Sequence, residues 1–257
     1  MPVQQQCRVV EMARLNPSTW WMTLEVGKLA EQQGLRGSQF LHIKCGDHQL
    51  LRRPISVALV QWDEPQDTAS LVFEVRGEGT QWLSRRTAGD ILDVLGPLGN
   101  GFQMEDTGRY LLVGGGIGVP PLLGCAASGG ERTTSILGFR SKDRAILIDR
   151  FQETGSQVLL CSDDGTLGEH CFVDALVRKA LEQPYDGVLA CGPKPMLKSV
   201  AKAAEEAGVP CQVSMEERMA CGVGACLGCA VQMADGTMKH VCKDGPVFAA
   251  GEVDWNV

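Results

Sequence analysis

The sequence predicts an antiparallel β barrel or sandwich, then an α/β domain with a parallel sheet, then a small cysteine-rich module. Three observations carry this. Six short segments rich in β-branched and aromatic residues, separated by turn clusters, fill the first part of the chain. After Gly96-Pro97-Leu98-Gly99-Asn100-Gly101-Phe102 the pattern changes to apolar strands alternating with helical periods. Beyond Met215 the chain turns Cys- and Gly-rich and loses any helical period. The boundaries fall near 102 and 214, giving units of 1–102, 103–214 and 215–257.

At 257 residues the chain exceeds a typical single domain. Its 44% hydrophobic and 21% charged content is that of an ordinary globular protein and excludes global disorder. A net charge of −7 offers no field that would gather a phosphate backbone or an anionic membrane, so neither is expected as a partner. The opening Met1-Pro2-Val3-Gln4-Gln5-Gln6 lacks the basic and apolar regions of a secretory leader, and a cytoplasmic location is expected. Residues 110–127 are apolar, but Gly114-Gly115-Gly116, Gly118 and Pro120-Pro121 would break a spanning helix.

In chain order, strands are expected at residues 7–15, 20–26, 40–44, 54–60, 71–76 and 91–95, with one helix at 80–86. In the second unit strands are expected at 110–113, 135–139, 158–161, 187–190 and 211–214. Val173, Leu176, Val177, Ala180 and Leu181 recur at the spacing of one buried helical face. Pro195 at a first-turn position opens a further helix that stops at Gly208. Strands alternating with helices imply right-handed crossovers.

Eleven cysteines, an odd number in a chain of this length, do not look like a disulfide framework. Seven are scattered singly. The other four, Cys221, Cys226, Cys229 and Cys242, form C-x4-C-x2-C-x12-C, whose first two intervals are the plant-type [2Fe–2S] spacing. Four thiolates must converge on the cluster while backbone N–H groups turn toward its sulfurs, and interleaved glycines permit that backbone path. Structural zinc, the alternative, usually shows two short C-x2-4-C pairs, and only one exists here.

Tyr110-Leu111-Leu112-Val113-Gly114-Gly115-Gly116-Ile117-Gly118 reads as a strand and a glycine turn before a helix. Such a turn lets backbone approach a dinucleotide pyrophosphate, although it is not the G-x-G-x-x-G fingerprint. Cys191-Gly192-Pro193 again places a small-residue turn after an apolar strand, where ligands bind in open α/β sheets; a buried thiol at a strand end is the other reading of Cys191. Arg140, Ser141, Lys142 and Arg144 would suit a nicotinamide 2′-phosphate or simply a solvated loop, leaving NAD against NADP open. Glu216-Glu217 reads as a solvated turn, and Trp255 as a partner-facing or tail residue. His42, His48, His170 and His240 show no ligand spacing and read as structural or solvent-facing.

Arg53-Pro54-Ile55-Ser56 is similar to the R-x-Y-[S/T] flavin motif of the ferredoxin reductase family, and Gly77-Glu78-Gly79-Thr80 resembles that family's second phosphate loop. With the block from Arg218 to Cys226 and Val241-Cys242-Lys243-Asp244-Gly245-Pro246-Val247-Phe248, nearly the whole chain resembles the electron transfer subunits of NAD-dependent dihydroorotate dehydrogenases of the B type. Without these companions Arg53 would read as a surface arginine beside Arg52. Two departures stand out: Ile55 replaces a common Tyr, and Glu74 stands where a basic residue is expected.

The resemblance implies a ferredoxin reductase-like barrel that binds FAD. Arg53 would meet the pyrophosphate, Pro54, Ile55 and Ser56 would flank the isoalloxazine, the backbone of Val72, Phe73 and Glu74 would touch the flavin, and Gly77, Gly79 and Thr80 would form the phosphate loop. It implies NAD at Gly114, Gly115, Gly116, Gly118, Cys191, Gly192 and Pro193, and a [2Fe–2S] cluster on the four cysteines. No general acid or base is nominated. It further implies a separate FMN-bearing catalytic subunit that oxidises dihydroorotate in pyrimidine biosynthesis, two copies of each subunit, and electrons passing through cluster and FAD to NAD. The alternatives are a related NAD(P)H-dependent flavin and iron–sulfur reductase subunit serving a ferredoxin or a sulfur-reducing complex, or a non-catalytic redox sensor.

Overall fold

The computed structural model describes residues 2–27, 29, 34–62 and 66–256. Six strands close into an antiparallel barrel: β1 (Val3–Arg14), β2 (Thr19–Glu25), β3 (Phe40–Ile43), β4 (Arg53–Gln61), β5 (Thr68–Glu74) and β6 (Ile91–Leu98), in the order β1-β2-β5-β4-β3-β6. Closure decides for a barrel over a sandwich and removes the exposed sheet edges. The inward residues of each strand, among them Val9, Met22, Leu24, Leu41, Ile43, Val57, Leu71 and Val94, form one core. β1 begins before the expected strand because Val3, Gln4 and Gln5 pair with Gly96, Leu95 and Val94 to complete the barrel. A polar Gln run carries no apolar alternation, so that pairing has no local signal. Helix α1 (Glu78–Leu83) starts two residues earlier than expected and plugs the barrel with Leu83.

The second sheet runs in the order β10-β9-β8-β7-β11-β12-β15, where β7 is Tyr110–Gly115, β8 Thr133–Phe139, β9 Gln157–Ser162, β10 Glu169–His170, β11 Gly187–Cys191, β12 Cys211–Ser214 and β15 Val247–Ala249. All neighbours are parallel except β12 and β15. Both faces are covered, which is why these strands read as continuous apolar runs. On one face Leu111, Val113 and Ile136 pack against α4 (Val173–Ala180) and α5 (Lys194–Glu206). On the other, Leu112, Leu137 and Leu189 pack against α2 (Leu123–Gly129), α3 (Ile148–Glu153) and barrel residues Trp21, Ala58 and Val72. Strand order reverses between β7 and β11, so the loops after these strands open a crevice at the carboxyl edge.

The C-terminal residues contribute a hairpin of β13 (Ala230–Gln232) and β14 (Met238–His240), and then send β15 back to pair with β12. Neither β10 nor β15 is expected from sequence: each is two or three residues long and exists only because a neighbouring edge receives it. Asn100 pins this module to the barrel, donating from Nδ2 to the carbonyls of Asp244 and Val247 (both 3.1 Å) and accepting the Val247 N–H at Oδ1 (3.0 Å). Among the described residues no helix is long and apolar enough to cross a membrane.

Candidate functional site: a three-walled cleft beside a four-cysteine loop

A cleft of about 730 Å³ opens where barrel, parallel sheet and C-terminal module meet. That is the size of an ordinary cofactor site. Its barrel wall carries Arg53, Pro54, Ile55, Ser56, Val72, Phe73, Glu74 and Thr80; its sheet wall carries Gly115, Gly116, Gly118, Cys191, Gly192 and Pro193. Gly77, Gly79 and Gly114, also proposed from sequence, do not line it. Gly79 shapes it instead, because a Cβ there would stand 2.6 Å from Nε of Arg53. Phe73 turns its ring into the barrel core, leaving its backbone toward the cleft.

The two neighbouring arginines part company. Arg52 donates from Nη2 to both carboxylate oxygens of Asp93 on β6 (3.0 and 2.9 Å) and serves the barrel. Arg53 donates from Nη2 to Gln49 Oε1 (2.7 Å) and from Nη1 to the carbonyl of Leu51, with its guanidinium against Gly79. Thr80 Oγ1 accepts the N–H groups of Arg76 (2.9 Å) and Gly77 (3.2 Å), fixing the loop between β5 and α1.

Glu74, the unexpected acid, is balanced locally. It accepts from Arg76 Nε at 2.7 Å and lies 3.9 Å from Arg144, which itself donates to Ser18 (3.0 Å). The hydrogen bond to Glu74 holds the Arg76 guanidinium above its ordinary value. Arg76, Arg140 and Arg144 all line the cleft, so the 140–144 segment is more than a solvated loop, although Lys142 stays outside. Burial pushes the Cys191 thiol up to about 12, against a weaker lowering by Ser214, so it is no nucleophile at neutral pH.

The third wall was not legible in sequence. Met215, Glu216, Glu217, Met219, Val241 and Pro246 come from the C-terminal segment, and Glu216-Glu217, read as a plain solvated turn, faces the cleft. No local pattern marks them; only the docking of this module brings them there.

Immediately behind that wall lie the four cysteines, with Cys229 and Cys242 buried, Cys221 half-buried and Cys226 exposed. Among the described residues no three His, Cys, Asp or Glu side chains are arranged to hold a single metal ion. The thiols stand as two contacting pairs, Cys221 with Cys226 and Cys229 with Cys242. A binuclear cluster takes two thiolates at each iron, whereas structural zinc needs four around one point. The N–H of Val223 and that of Cys226 point to Cys221 Sγ (both 3.4 Å), that of Gly224 to Cys242 Sγ (3.1 Å) and that of Cys242 to Cys229 Sγ (3.4 Å). Desolvation raises the Cys221 thiol, but these backbone donors and Cys226 outweigh it and bring it down to about 6. The donor set and its amides fit a [2Fe–2S] cluster.

Residues 216–254 match the family model of the iron–sulfur cluster binding domain of dihydroorotate dehydrogenase B. The chain is 39% identical over 254 residues to the dihydroorotate dehydrogenase B (NAD(+)) electron transfer subunit of Caldanaerobacter subterraneus subsp. tengcongensis, covering 97% of this chain and 98% of that one. It is 41% identical over 261 residues to the subunit of the same name from Geobacillus thermodenitrificans, with 97% and 98% covered. Among solved structures, a chain of an NADH-dependent reduced ferredoxin-NADP oxidoreductase superposes with a TM-score of 0.86 at 33% identity, covering 97% of this chain and 90% of that one. The ferredoxin reductase of carbazole 1,9a-dioxygenase shares the fold at a TM-score of 0.68 and 23% identity, over 81% of this chain and 67% of that one. Barrel, switch-point crevice, paired cysteines and full-length similarity agree: the chain belongs to the family of dihydroorotate dehydrogenase B (NAD(+)) electron transfer subunits.

Proposed function

We propose that this chain relays electrons between an FMN-bearing dihydroorotate dehydrogenase subunit and NAD(+), as part of pyrimidine biosynthesis. One observation carries the reading: the Arg53 wall, the two glycine turns and the cysteine module border a single cleft. FAD held there would supply chemistry that accepts or gives two electrons as a hydride and single electrons to a [2Fe–2S] cluster, which is what joins a hydride carrier to a one-electron carrier.

The chain's own residues bind and orient. Arg53 supplies a fixed cation for the FAD pyrophosphate, and the backbone of residues 72–74 and the Gly77–Thr80 loop supply further contacts. Pro54, Ile55 and Ser56 line the barrel wall where the flavin ring would lie, and Ile55, packed in the barrel core, would offer it an aliphatic rather than an aromatic surface. The loops after β7 and β11 receive the nicotinamide nucleotide at the switch point. Arg144 is already engaged by Ser18 and Glu74, which favours NAD over NADP. Cys221, Cys226, Cys229 and Cys242 hold the cluster. No side chain is required as acid or base.

Units of 1–102, 103–214 and 215–257 describe the FAD, NAD and cluster parts of this scheme. Dihydroorotate oxidation belongs to the partner, in an assembly with two copies of each subunit. Eleven free thiols suit a reducing compartment, the cytoplasm. The likeness to a ferredoxin-NADP oxidoreductase chain favours a second reading, a reductase subunit serving another partner. Stepwise NADH added anaerobically to the purified chain tests both: flavin and cluster bands bleach together under either. Reconstitution with the FMN subunit separates them, since only the first reading yields dihydroorotate-dependent NADH formation.

A further inference from the structure

His42 on β3 is fully buried, and neither ring nitrogen has a hydrogen-bond partner. Among the described residues, Gln5 Oε1 is the one other buried side-chain atom in that state. Strand alternation sends Leu41 and Ile43 into the barrel core, while Phe40 packs outward in the cluster that contains Cys229 and Cys242. His42 takes the same outward side. A Cβ built on Gly222 would lie 2.6 Å from His42 Nδ1 and 3.2 Å from Cε1, so the backbone next to Cys221 rests directly on the imidazole. Across the strand pair, His42 is in register with Pro54 on the cleft wall. Burial, reinforced by the Arg52 and Arg53 charges and only partly offset by an approach of the Arg52 backbone that falls short of hydrogen-bond geometry, pushes the ring down to about 4, so at neutral pH it carries a single N–H donor.

We propose that His42 donates a hydrogen bond to a sulfur of the [2Fe–2S] site and thereby raises the cluster's reduction potential. The inference rests on the cluster reading above. Buried polar groups without protein partners mark a missing acceptor, and the sulfur-rich loop over the ring supplies one. A donor to cluster sulfur stabilises the more negative, reduced state.

The test uses the full chain, purified anaerobically with its cluster and carrying 15N-labelled histidine. Pulsed EPR of the reduced cluster should show coupling to a histidine nitrogen, retained in His240→Gln, whose ring in the native chain faces Asp244 at 3.6 Å, and lost in His42→Leu. The cluster potential should move to a more negative value in His42→Leu and stay closer to the native value in His42→Gln, which keeps an N–H donor. Iron content and the EPR signal confirm that each variant is loaded. Absence of the coupling from the wild-type and His240→Gln chains overturns the proposal even where His42→Leu fails to fold, as does an unchanged potential in a loaded His42→Leu. A wild-type chain without iron or acid-labile sulfide overturns the cluster reading first, and the His42 proposal with it.

Discussion

A Cβ on Gly118 would lie 2.4 Å from the carbonyl oxygen of Cys191 and 2.5 Å from its carbonyl carbon. The turns after β7 and β11, some seventy residues apart in the chain, therefore meet backbone to backbone at the point where strand order reverses.

Gly118→Ala should force those turns apart. Backbone atoms cannot yield as a flexible side chain does, so a loss of about 1–3 kcal/mol is expected. Denaturant unfolding measures that loss, and NADH titration should show weakened nicotinamide binding with flavin and iron contents retained. Unaltered NADH binding would place the nucleotide elsewhere.

Arg53→Ala should release FAD. Hydrogen bonds to a charged group contribute about 1.5–3 kcal/mol, which predicts roughly 10- to 100-fold weaker flavin retention. Arg53→Lys should recover only part, because a point charge cannot reproduce the planar fork. Arg52→Ala, by contrast, should lower barrel stability by leaving the Asp93 carboxylate with Gln4 but without its cation, and leave flavin affinity nearly unchanged. Flavin fluorescence after dialysis separates the two arginines.

Cys226→Ser and Cys242→Ser should both lose iron, but with different structural costs. Cys242 is buried among apolar residues and Cys226 is exposed. The Cys242 variant should be less stable than the Cys226 variant by about 1–2 kcal/mol, because a buried hydroxyl costs more to desolvate than a thiol even with the Gly224 N–H beside it. Iron assay and thermal unfolding of the two cluster-free proteins test this.

Alkaline pH should destabilise the chain. Burial pushes the thiols of Cys7 and Cys161 up to about 12, and those of Cys45 and Cys125 up to about 11, from an ordinary value of 9.0. Above pH 9 the unfolded chain loses protons that the folded chain keeps, so unfolding is favoured as pH rises. The stability is fully present below about pH 9. It falls toward pH 11, each thiol contributing up to about 1.4 kcal/mol per pH unit. Urea midpoints between pH 8 and 11 measure the slope, and Cys7→Ala together with Cys161→Ala should make it shallower.

Much of the site was legible in sequence because its chemistry is written over short stretches. The spacing of Cys221, Cys226 and Cys229 and the glycine turn after β7 each occupy fewer than ten residues, and local backbone demands choose those residue types. The alternation of apolar strands and helical periods likewise announced the doubly covered sheet. Other features depend on pairings across long separations, which leave no local pattern. Val3, Gln4 and Gln5 become strand only because β6 completes the barrel, and β15 only because the edge of β12 accepts it. Glu216, Glu217 and Met219 reach the cleft only through docking of the C-terminal module. His42 looked like an ordinary strand residue, yet its neighbour is the loop 180 positions onward. Sequence by itself determined which groups could bind a flavin, a nucleotide and a cluster, since those choices are local backbone and side-chain chemistry. Only the tertiary structure decided that the flavin and nucleotide groups share one cleft, with the cysteine loop behind its third wall, and what lies buried between them, because burial and cross-strand neighbours are properties of the packed chain.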